Sequence, residues 1–498
     1  MAKMLLTAER CLFSNYHRAL FLGFTTCAPK SLFRPALFFR FICPPVRIKN
    51  GVAEFAPYGT RKIEAALINR FGEDAVSVVP PDKIEKFITP ETKIIGITSN
   101  DPLGMGPAST TFSGPKGFVK EESYNVWKFR ELISKLRRYN VKLVVGGAGA
   151  WQLEDREVRK KLGIDVVVIG EGEKVVSDLF ERILRGEDVP EVVYGEAVEP
   201  EEMPVIRGAT IGGIVEIARG CGRGCGFCLP TMRKLRSRPI EHILEELRVN
   251  VNAGNKFITL HAEDVIRYKA DGIRVNKSAV LELFESTAKI ADGAGVSHFA
   301  LASVASSPEL LQEISNILGI PSREHPWLAG QTGVETGSPR IIREYMPGKV
   351  KPFRPEEWCD VVEQAFGICK DSSWVPCGTL VIGFPKETEE DISKTVELID
   401  RLNNYKSLIV PLFFVPLGSM RAEMGFSAED MKPYHWMLML SCWKHNMRWL
   451  RELAEEYLAK MPTLSRKFLM RFVDWVIQKA SSEVLDYIRE RAEIQLKA

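Results

Sequence analysis

Five short runs rich in β-branched residues, at 4–7, 75–79, 93–98, 141–145 and 165–169, alternate with helical patterns at 61–71, 126–139 and 174–184. Apolar strands separated by amphipathic helices admit few solutions, and the one expected is a doubly wound (Rossmann-like) parallel α/β sheet. Such sheets take ligands beyond the carboxyl ends of their strands. Three of those ends are rich in glycine: SNDPLGMGPAS at 99–109, GGAGAWQ at 146–152 and GEGE at 170–173. Glycine lets a backbone come close to a large flat ligand or its phosphate tail. The candidate ligand contacts are therefore Asp101, Leu103, Gly104, Gly146, Gly147, Ala148, Gly170, Glu171, Gly172 and Glu173.

A second series of strand-like runs follows at 213–218, 257–260, 298–303, 330–335, 378–384 and 408–414, with helical stretches between them. Six β/α units predict a partial (β/α)6 TIM barrel, whose chemistry belongs at the carboxyl ends of its strands. An acidic stretch with prolines, EAVEPEEMP at 196–204, reads as the link between the two parts. From Tyr434 onward the pattern is helical, with Trp436, Trp443, Met447 and Leu450 in a stripe and a charged tail at the end. The expected domains are 1–195 with an insertion at about 9–56, a barrel at 205–420, and a helical segment at 421–498. The insertion is full of Phe, Pro and Leu, and insertions of that length are usually lids or partner surfaces.

The chemistry-bearing motif lies in ARGCGRGCGFCLP, where Cys221, Cys225 and Cys228 are spaced C-x3-C-x2-C. Three thiolates so close can hold three irons of a [4Fe–4S] cluster. No fourth cysteine follows, so one iron stays open to a small molecule. A structural zinc site is the other reading, but zinc closes with four ligands and no paired C-x2-C or histidine stands nearby. The seven other cysteines show no C-x2-C pairing and read as buried thiols. His298, His325, His435 and His445 read as packing or surface residues.

With Phe227 before its last cysteine, the motif resembles the radical S-adenosylmethionine (SAM) superfamily. The resemblance implies that SAM chelates the open iron and is cleaved to a 5′-deoxyadenosyl radical. It also assigns roles along the barrel. In HAED (261–264) Glu263 would accept from the SAM ammonium, with Asp264 in reserve. In GVETGSPR (333–340) Glu335 would hold the ribose hydroxyls and Arg340 the SAM carboxylate. Ser303 would also contact SAM, GFPKET (383–388) would lie near the adenine, and PLG (416–418) would end the sixth strand. The glycine-rich ends of the first sheet, with PYG at 57–59, resemble the cobalamin (B12)-binding domain that often precedes such a barrel. Asp-x-His-x-x-Gly, which supplies an axial histidine in other cobalamin proteins, is absent, and His17 is the only histidine before residue 195.

The whole chain thus resembles the archaeal branch of radical SAM proteins with a cobalamin-binding domain. Two activities occur there. One is methylation of an unactivated sp3 carbon, as on a glutamine of methyl-coenzyme M reductase, and it is the favoured expectation. The other is ring formation or carbon–carbon coupling in tetraether membrane lipids without methyl transfer. A non-catalytic corrinoid or SAM sensor is disfavoured, because it does not require a complete cluster motif. The cofactors implied are a [4Fe–4S] cluster, SAM and cobalamin, with a protein, peptide or lipid substrate and a ferredoxin- or flavodoxin-type electron donor.

Composition narrows the setting. A hydrophobic content of 45% with 26% charged residues marks a globular chain, and 498 residues require more than one core. A formal charge of +3 leaves no nucleic-acid footprint. Ten cysteines without a disulfide framework point to a reducing, cytoplasmic setting. No signal-peptide pattern opens the chain, and the apolar stretch 19–42 is broken by Lys30, Arg34 and Arg40. The segment 468–477, with Arg466, Lys467 and Arg471 beside it, permits peripheral membrane contact.

Overall fold

The computed structural model describes residues 3–49, 51–323 and 325–494. The last four residues of the expected charged tail lie outside the described residues. The chain divides into two compact units, Met1–Val215 with Arg238–Ile258, and Glu216–Ser237 with Thr259–Ala498.

The first unit contains β1 (Met4–Ala8), a hairpin of β2 (Ile48–Lys49) and β3 (Val52–Ala53), β4 (Val76–Val78), β5 (Ile94–Thr98), β6 (Lys142–Gly146), β7 (Val166–Gly170) and β8 (Val192–Gly195). Six of these form one sheet in the order β4-β1-β5-β6-β7-β8, with every pair parallel. Helices α1 (Pro35–Phe41), α2 (Tyr58–Phe71), α3 (Pro107–Phe112), α4 (Tyr124–Leu136), α5 (Arg156–Leu162) and α6 (Val176–Leu184) connect them. The pleat decides which face each apolar residue serves. Leu5, Ile95, Ile97, Leu143, Val145 and Val167 pack with Phe129, Leu132 and Ile133 of α4. Their neighbours Leu6, Ile94, Val144, Val166 and Val168 pack on the other side with Leu67 of α2 and Leu179 and Phe180 of α6. With both faces covered, the strands need continuous β-branched runs, and this is why they were legible. β1 has β4 on one side and β5 on the other, so the strand order reverses at β1/β5, where such folds open a crevice.

Two boundaries differ from expectation. The stretch 196–204 is no free link: Val198 and Met203 are buried, and the Val198 amide donates to the Glu171 carboxylate at 2.8 Å. The first unit also reclaims α7 (Ile240–Asn252). There Glu246, fully buried, holds Lys62 at 2.7 Å and Arg238 at 2.9 Å and accepts from the Tyr58 hydroxyl at 2.9 Å. The sheet also has a sixth strand, β8, that the pattern did not announce.

The barrel strands are β9 (Ile214–Glu216), β12 (Phe257–His261), β13 (Gly293–Val296), β14 (Leu328–Glu335), β15 (Trp374–Ile382) and β16 (Leu408–Phe413), with a short antiparallel pair, β10 (Ala218–Arg219) and β11 (Arg236–Ser237), beside the first. They form the sheets β13-β12-β9 and β14-β15-β16, joined by a parallel bridge between His298 and Gln331. The third strand is 293–296, not the expected 298–303: past His298 the chain turns into α9 (Leu301–Ser306). Helices α8 (Lys277–Ile290), α10 (Leu310–Leu318), α11 (Pro339–Tyr345), α12 (Trp358–Asp371) and α13 (Glu389–Arg401) complete the barrel.

The helices α14 (Pro433–Tyr457), α15 (Thr463–Trp475) and α16 (Ser481–Ile494) do not make a third domain; they belong to the second unit. β16 is an edge strand with unpaired backbone groups, which proteins cover. Asn446 of α14 accepts from the Ile409 amide at 2.8 Å and donates to the Ile409 carbonyl at 2.7 Å, so a side-chain amide takes the place of a further strand. The buried face of α14 carries Trp436, Leu438, Cys442, His445 and Leu453, whereas Trp443, Met447 and Leu450 of the expected stripe are only half-buried. No helix among the described residues is long and apolar enough to cross a membrane.

Candidate functional site

The three cysteines sit in the loop after β10. Gly222 and Gly224 both take φ of +70° in this loop, a conformation that L side chains resist and that lets so short a segment wrap. The loop is pinned at several points. The Gly226 amide donates to the Tyr345 carbonyl at 2.8 Å, and the Ser419 amide donates to the Gly226 carbonyl at 3.0 Å. Arg267 donates to the Cys221 carbonyl.

The strongest pin is Arg223, between the first two cysteines. Its buried guanidinium donates to the carbonyls of Lys349 and Lys351, each at 2.9 Å, and to the Ser303 hydroxyl at 2.8 Å. It lies 3.6 Å from the Asp264 carboxylate, which in turn accepts from Ser303 at 2.6 Å and from the Ala300 amide at 3.1 Å.

This geometry separates the expected SAM contacts. Ser303 and Asp264 are locked together under the loop. Glu263, by contrast, has a buried Oε2 with no hydrogen-bond partner, and burial raises its pKa. An orphaned carboxylate oxygen beside the Gly220 backbone suits a cationic donor such as an ammonium. Glu335 closes β14 after a register irregularity, with φ of +64°, a strained value for a non-glycine residue. It accepts from Lys349 Nζ at 3.0 Å and from the Thr379 hydroxyl at 3.4 Å. Phe227 meets Phe384 of the GFPKET element with ring centroids 6.0 Å apart, and Phe384 stacks on Tyr345 at 5.4 Å.

Arg340 is a correction. Its guanidinium pairs with Asp391 at 3.2 and 2.5 Å and donates to the Lys386 carbonyl at 2.8 Å and to Glu344 at 3.1 Å. The three bonds to Asp391 and Lys386 tie α11 to the start of α13, and all four together leave no donor pair directed at a carboxylate ligand. The cation facing the cysteine loop is Lys349. Burial opposes its charge, yet Glu335 and Cys225 outweigh burial and hold its pKa above the ordinary value. Nothing in the PGKV segment (347–350) distinguishes Lys349 from any surface lysine, and Arg223 was passed over inside its own motif.

The thiols respond to these charges. Cys225 is lowered to about 7, first by the hydrogen bond from Cys228 and then, against burial, by Lys349 and Arg223. Cys228 is raised by the same hydrogen bond and by burial, and Cys221 is raised by burial. All three are unpaired thiols. Among the described residues no three His, Cys, Asp or Glu side chains gather as they would on a single metal ion. Three thiols, one already near its thiolate form and set by two buried cations, fit a multi-iron cluster. Deeper in the barrel, His261 Nδ1 bonds Ser297 at 2.9 Å, and His298 is lowered to about 3 by burial and by His261. His435 and His445 are buried partners of Glu387 and Ser407.

In the first unit the expected contacts fall into two groups. Gly147, Ala148 and Gly170 lie exposed at the ends of β6 and β7, together with Asn100 and Met105, whose side chain is 44% exposed. Gly146, Gly172 and Glu173 are half-buried beside them. The others hold the loops together. Asp101 accepts from the Gly106 amide at 2.9 Å and the Gln152 amide at 2.7 Å, and the Leu103 amide donates to Gln152 at 2.9 Å. Gly104 packs against Val126.

Glu171 is a second correction, because its buried carboxylate receives the Val198 amide. Gly147, with φ of +98°, serves packing as well as openness: an added Cβ would lie 2.6 Å from the Ser99 carbonyl. The Ser99 hydroxyl itself is buried without a hydrogen-bond partner at the end of β5, next to the switch point. An exposed shelf of backbone and small residues with an orphaned hydroxyl beside it fits a large, flat ligand with a polar tail.

Residues 215–399 match the family model of the Radical SAM superfamily. Among curated proteins, the chain is 28% identical over 264 residues to the tRNA-2-methylthio-N(6)-dimethylallyladenosine synthase of Thermotoga petrophila, covering 52% of this chain and 56% of that protein. The enzyme of the same name from Carboxydothermus hydrogenoformans is 27% identical over 304 residues, covering 59% and 64%. The chain thus spans a little over half the length of these relatives. Among solved structures, the radical S-adenosylmethionine methyltransferase TsrM from Kitasatospora setae, with cobalamin and a [4Fe–4S] cluster bound, aligns at a TM-score of 0.53 and 12% identity, covering 84% of this chain and 74% of that one. The same enzyme with its tryptophan substrate and a SAM analogue aligns at 0.54 and 14%, covering 84% and 75%. At such identities the likeness is one of fold. The chain is an α/β protein with a Rossmann-like domain, and its residues 215–399 are a radical SAM domain.

Proposed function

We propose that this chain is a cobalamin-dependent radical SAM C-methyltransferase acting on an unactivated sp3 carbon. The observation that carries the reading is the exposed shelf of Gly147, Ala148 and Gly170 at the carboxyl end of the first sheet, in a chain that also carries the three-cysteine loop. Such a shelf has no direct role in plain hydrogen abstraction by a radical SAM domain. The fold likeness to a methyltransferase with cobalamin and a cluster bound supports it.

In this reading Cys221, Cys225 and Cys228 hold a [4Fe–4S] cluster, Glu263 and Glu335 receive the ammonium and ribose of SAM, and Lys349 takes the carboxylate role expected of Arg340. When bound, the cluster and SAM supply one-electron cleavage for hydrogen abstraction, and the corrinoid supplies the methyl group. The protein's own part is electrostatic and steric. Lys349 and Arg223 balance thiolate charge, Glu335 is held by Lys349 and Thr379, and the aromatic group of Phe227, Tyr345 and Phe384 keeps water from one wall of the site.

The proposal includes a cytoplasmic setting, a low-potential ferredoxin- or flavodoxin-type electron donor and a protein or peptide substrate, such as a glutamine of methyl-coenzyme M reductase. It places the chain in the archaeal branch on its motifs, although the relatives named above are bacterial. A second reading, lipid modification without methyl transfer, draws on the apolar surface of the insertion, where Phe24, Leu32 and Leu37 are exposed. Anaerobic turnover with methyl-labelled SAM tests both. Label in a protein fraction together with bound cobalt supports methyl transfer. An unlabelled, altered lipid from cobalt-free protein favours the second reading. Label in RNA overturns the expectation of no nucleic-acid substrate.

A further inference from the structure

The insertion after β1 contains a buried group of reactive side chains that the radical chemistry does not use. Glu9, Cys11, Tyr16 and Cys43 are all buried at the carboxyl end of β1. The Glu9 carboxylate accepts from the amides of Cys11 and Leu12, the latter at 3.1 Å. The Cys43 thiol faces the Arg10 carbonyl at 3.8 Å, one residue before Cys11. The Tyr16 hydroxyl donates to the Cys11 carbonyl at 2.5 Å and lies 3.8 Å from the Cys43 sulfur.

Arg10 fastens the two segments: it donates to the Cys43 carbonyl at 2.7 Å, the Pro44 carbonyl at 3.0 Å and the Phe13 carbonyl at 3.4 Å, and it pairs with Asp82 at 3.0 Å. The two cysteines, 32 residues apart in the chain, are thus brought side by side: Tyr16 bridges the Cys11 carbonyl and the Cys43 sulfur, and Arg10 clamps the two backbones.

We propose that Cys11 and Cys43 are a redox-active dithiol, oxidised to a disulfide by hydrogen peroxide with Glu9 as the proton carrier. The site is distinct from the three-cysteine loop. Cys43 is the attacking sulfur. Burial raises its pKa, but the hydrogen bond from Cys11 and the charge of Arg10 more than offset this and hold it below the ordinary thiol value. Burial lifts Glu9 to about 8, so that it can both give and take a proton near neutrality.

In the first step the Cys43 thiolate attacks one peroxide oxygen. An S–O bond forms, the O–O bond breaks, and the departing hydroxide takes the proton of Glu9 to leave as water. In the second step Glu9 takes the Cys11 proton, and the Cys11 sulfur attacks the Cys43 sulfenic acid. The S–S bond forms, the S–O bond breaks, and the proton returns to the hydroxide, giving a second water. Two thiols lose two electrons, and one peroxide is reduced to two waters. Burial of Glu9, Cys11 and Cys43 closes the site to larger disulfides, so the oxidant proposed is a small one. The new bond would lock the insertion onto the end of β1.

The test is peptide mapping of the full-length chain after treatment with about one equivalent of hydrogen peroxide, quenched with iodoacetamide in denaturant. The expected product is a Cys11–Cys43 cross-linked peptide pair that dithiothreitol releases. Cys43→Ser and, separately, Cys11→Ser should each abolish it, and Glu9→Gln should slow its formation by about a hundredfold, the scale of positioned proton transfer. The two single-cysteine variants guard against one of them failing to fold. Separate iodoacetamide labels on Cys11 and Cys43 at a dose that already oxidises Cys221, Cys225 or Cys228 would overturn the proposal, as would a cross-link to any other cysteine. An unchanged rate in Glu9→Gln would remove Glu9 from the mechanism.

Discussion

Replacing Arg223 by Met tests how the cysteine loop is held. Met is close in length, fills the same channel and removes only the charge and its donors. In the native chain the buried guanidinium makes three bonds of 2.8–2.9 Å, one of them to the buried Ser303, and lies 3.6 Å from the buried Asp264 carboxylate. A hydrogen bond to a charged group contributes about 1.5–3 kcal/mol, but the terms do not add, and the better guide is the cost of breaking a buried ion pair from one side, about 3–5 kcal/mol. Arg267 remains near Asp264 and favours the lower figure.

At about 2–4 °C per kcal/mol for a large domain, the loss in Tm is roughly 6–20 °C. It should be read by circular dichroism on cluster-free protein, so that iron does not contribute. Iron bound after anaerobic reconstitution should fall in parallel, because the loop between Cys221 and Cys225 loses its anchor. The double variant Arg223→Met/Asp264→Asn removes both charges and should recover about half of the lost Tm, since much of the cost lies in the stranded carboxylate. A single variant that melts within 2 °C of the native chain and binds the same iron would refute the reasoning. A double variant no better than the single would show that the carboxylate is not what Arg223 compensates.

Replacing Cys221, Cys225 and Cys228 together by Ala should eliminate visible iron–sulfur absorbance and SAM cleavage, and measured iron that persists would disprove the cluster assignment. Ala148→Trp should block cobalamin binding, measured as bound cobalt, without loss of Tm, because Ala148 is exposed; Gly147 is a poor target, since any side chain there meets the Ser99 carbonyl. His445 gives a pH signature. Burial lowers it to about 4 from an ordinary 6.5, so the unfolded chain binds the proton first and stability falls as pH drops from about 6.5 toward 4, by up to about 3 kcal/mol. His445→Asn should flatten that part of the Tm–pH curve, and an unchanged slope would place the acid lability elsewhere.

Local pattern was enough for the parts whose cause is local. Five strands of the first sheet were legible because burial on both faces demands β-branched runs, and the cysteine loop was legible because Cys221, Cys225 and Cys228 fall within eight consecutive residues. Its glycines could be read in advance as well, since left-handed turns admit few other residues. Tertiary structure decided the rest.

Arg340 and Lys349 are equal candidates as isolated cations. Asp391, 51 residues beyond Arg340, claims the first, and the fold of the 346–351 turn turns the second toward Cys225. Glu171 looked like part of a ligand shelf until the Val198 amide took it. The strand at 293–296 has the sequence GAGV, which carries no β signal of its own and is extended only because β12 lies beside it. The last helices looked like a separate domain, and contacts with distant residues, among them Asn446 on the edge of β16 and His445 on Ser407, make them part of the second unit. Spacing and periodicity determine what a segment can become. Which of several equivalent charges meets a partner depends on contacts between residues far apart in sequence, which no local pattern records.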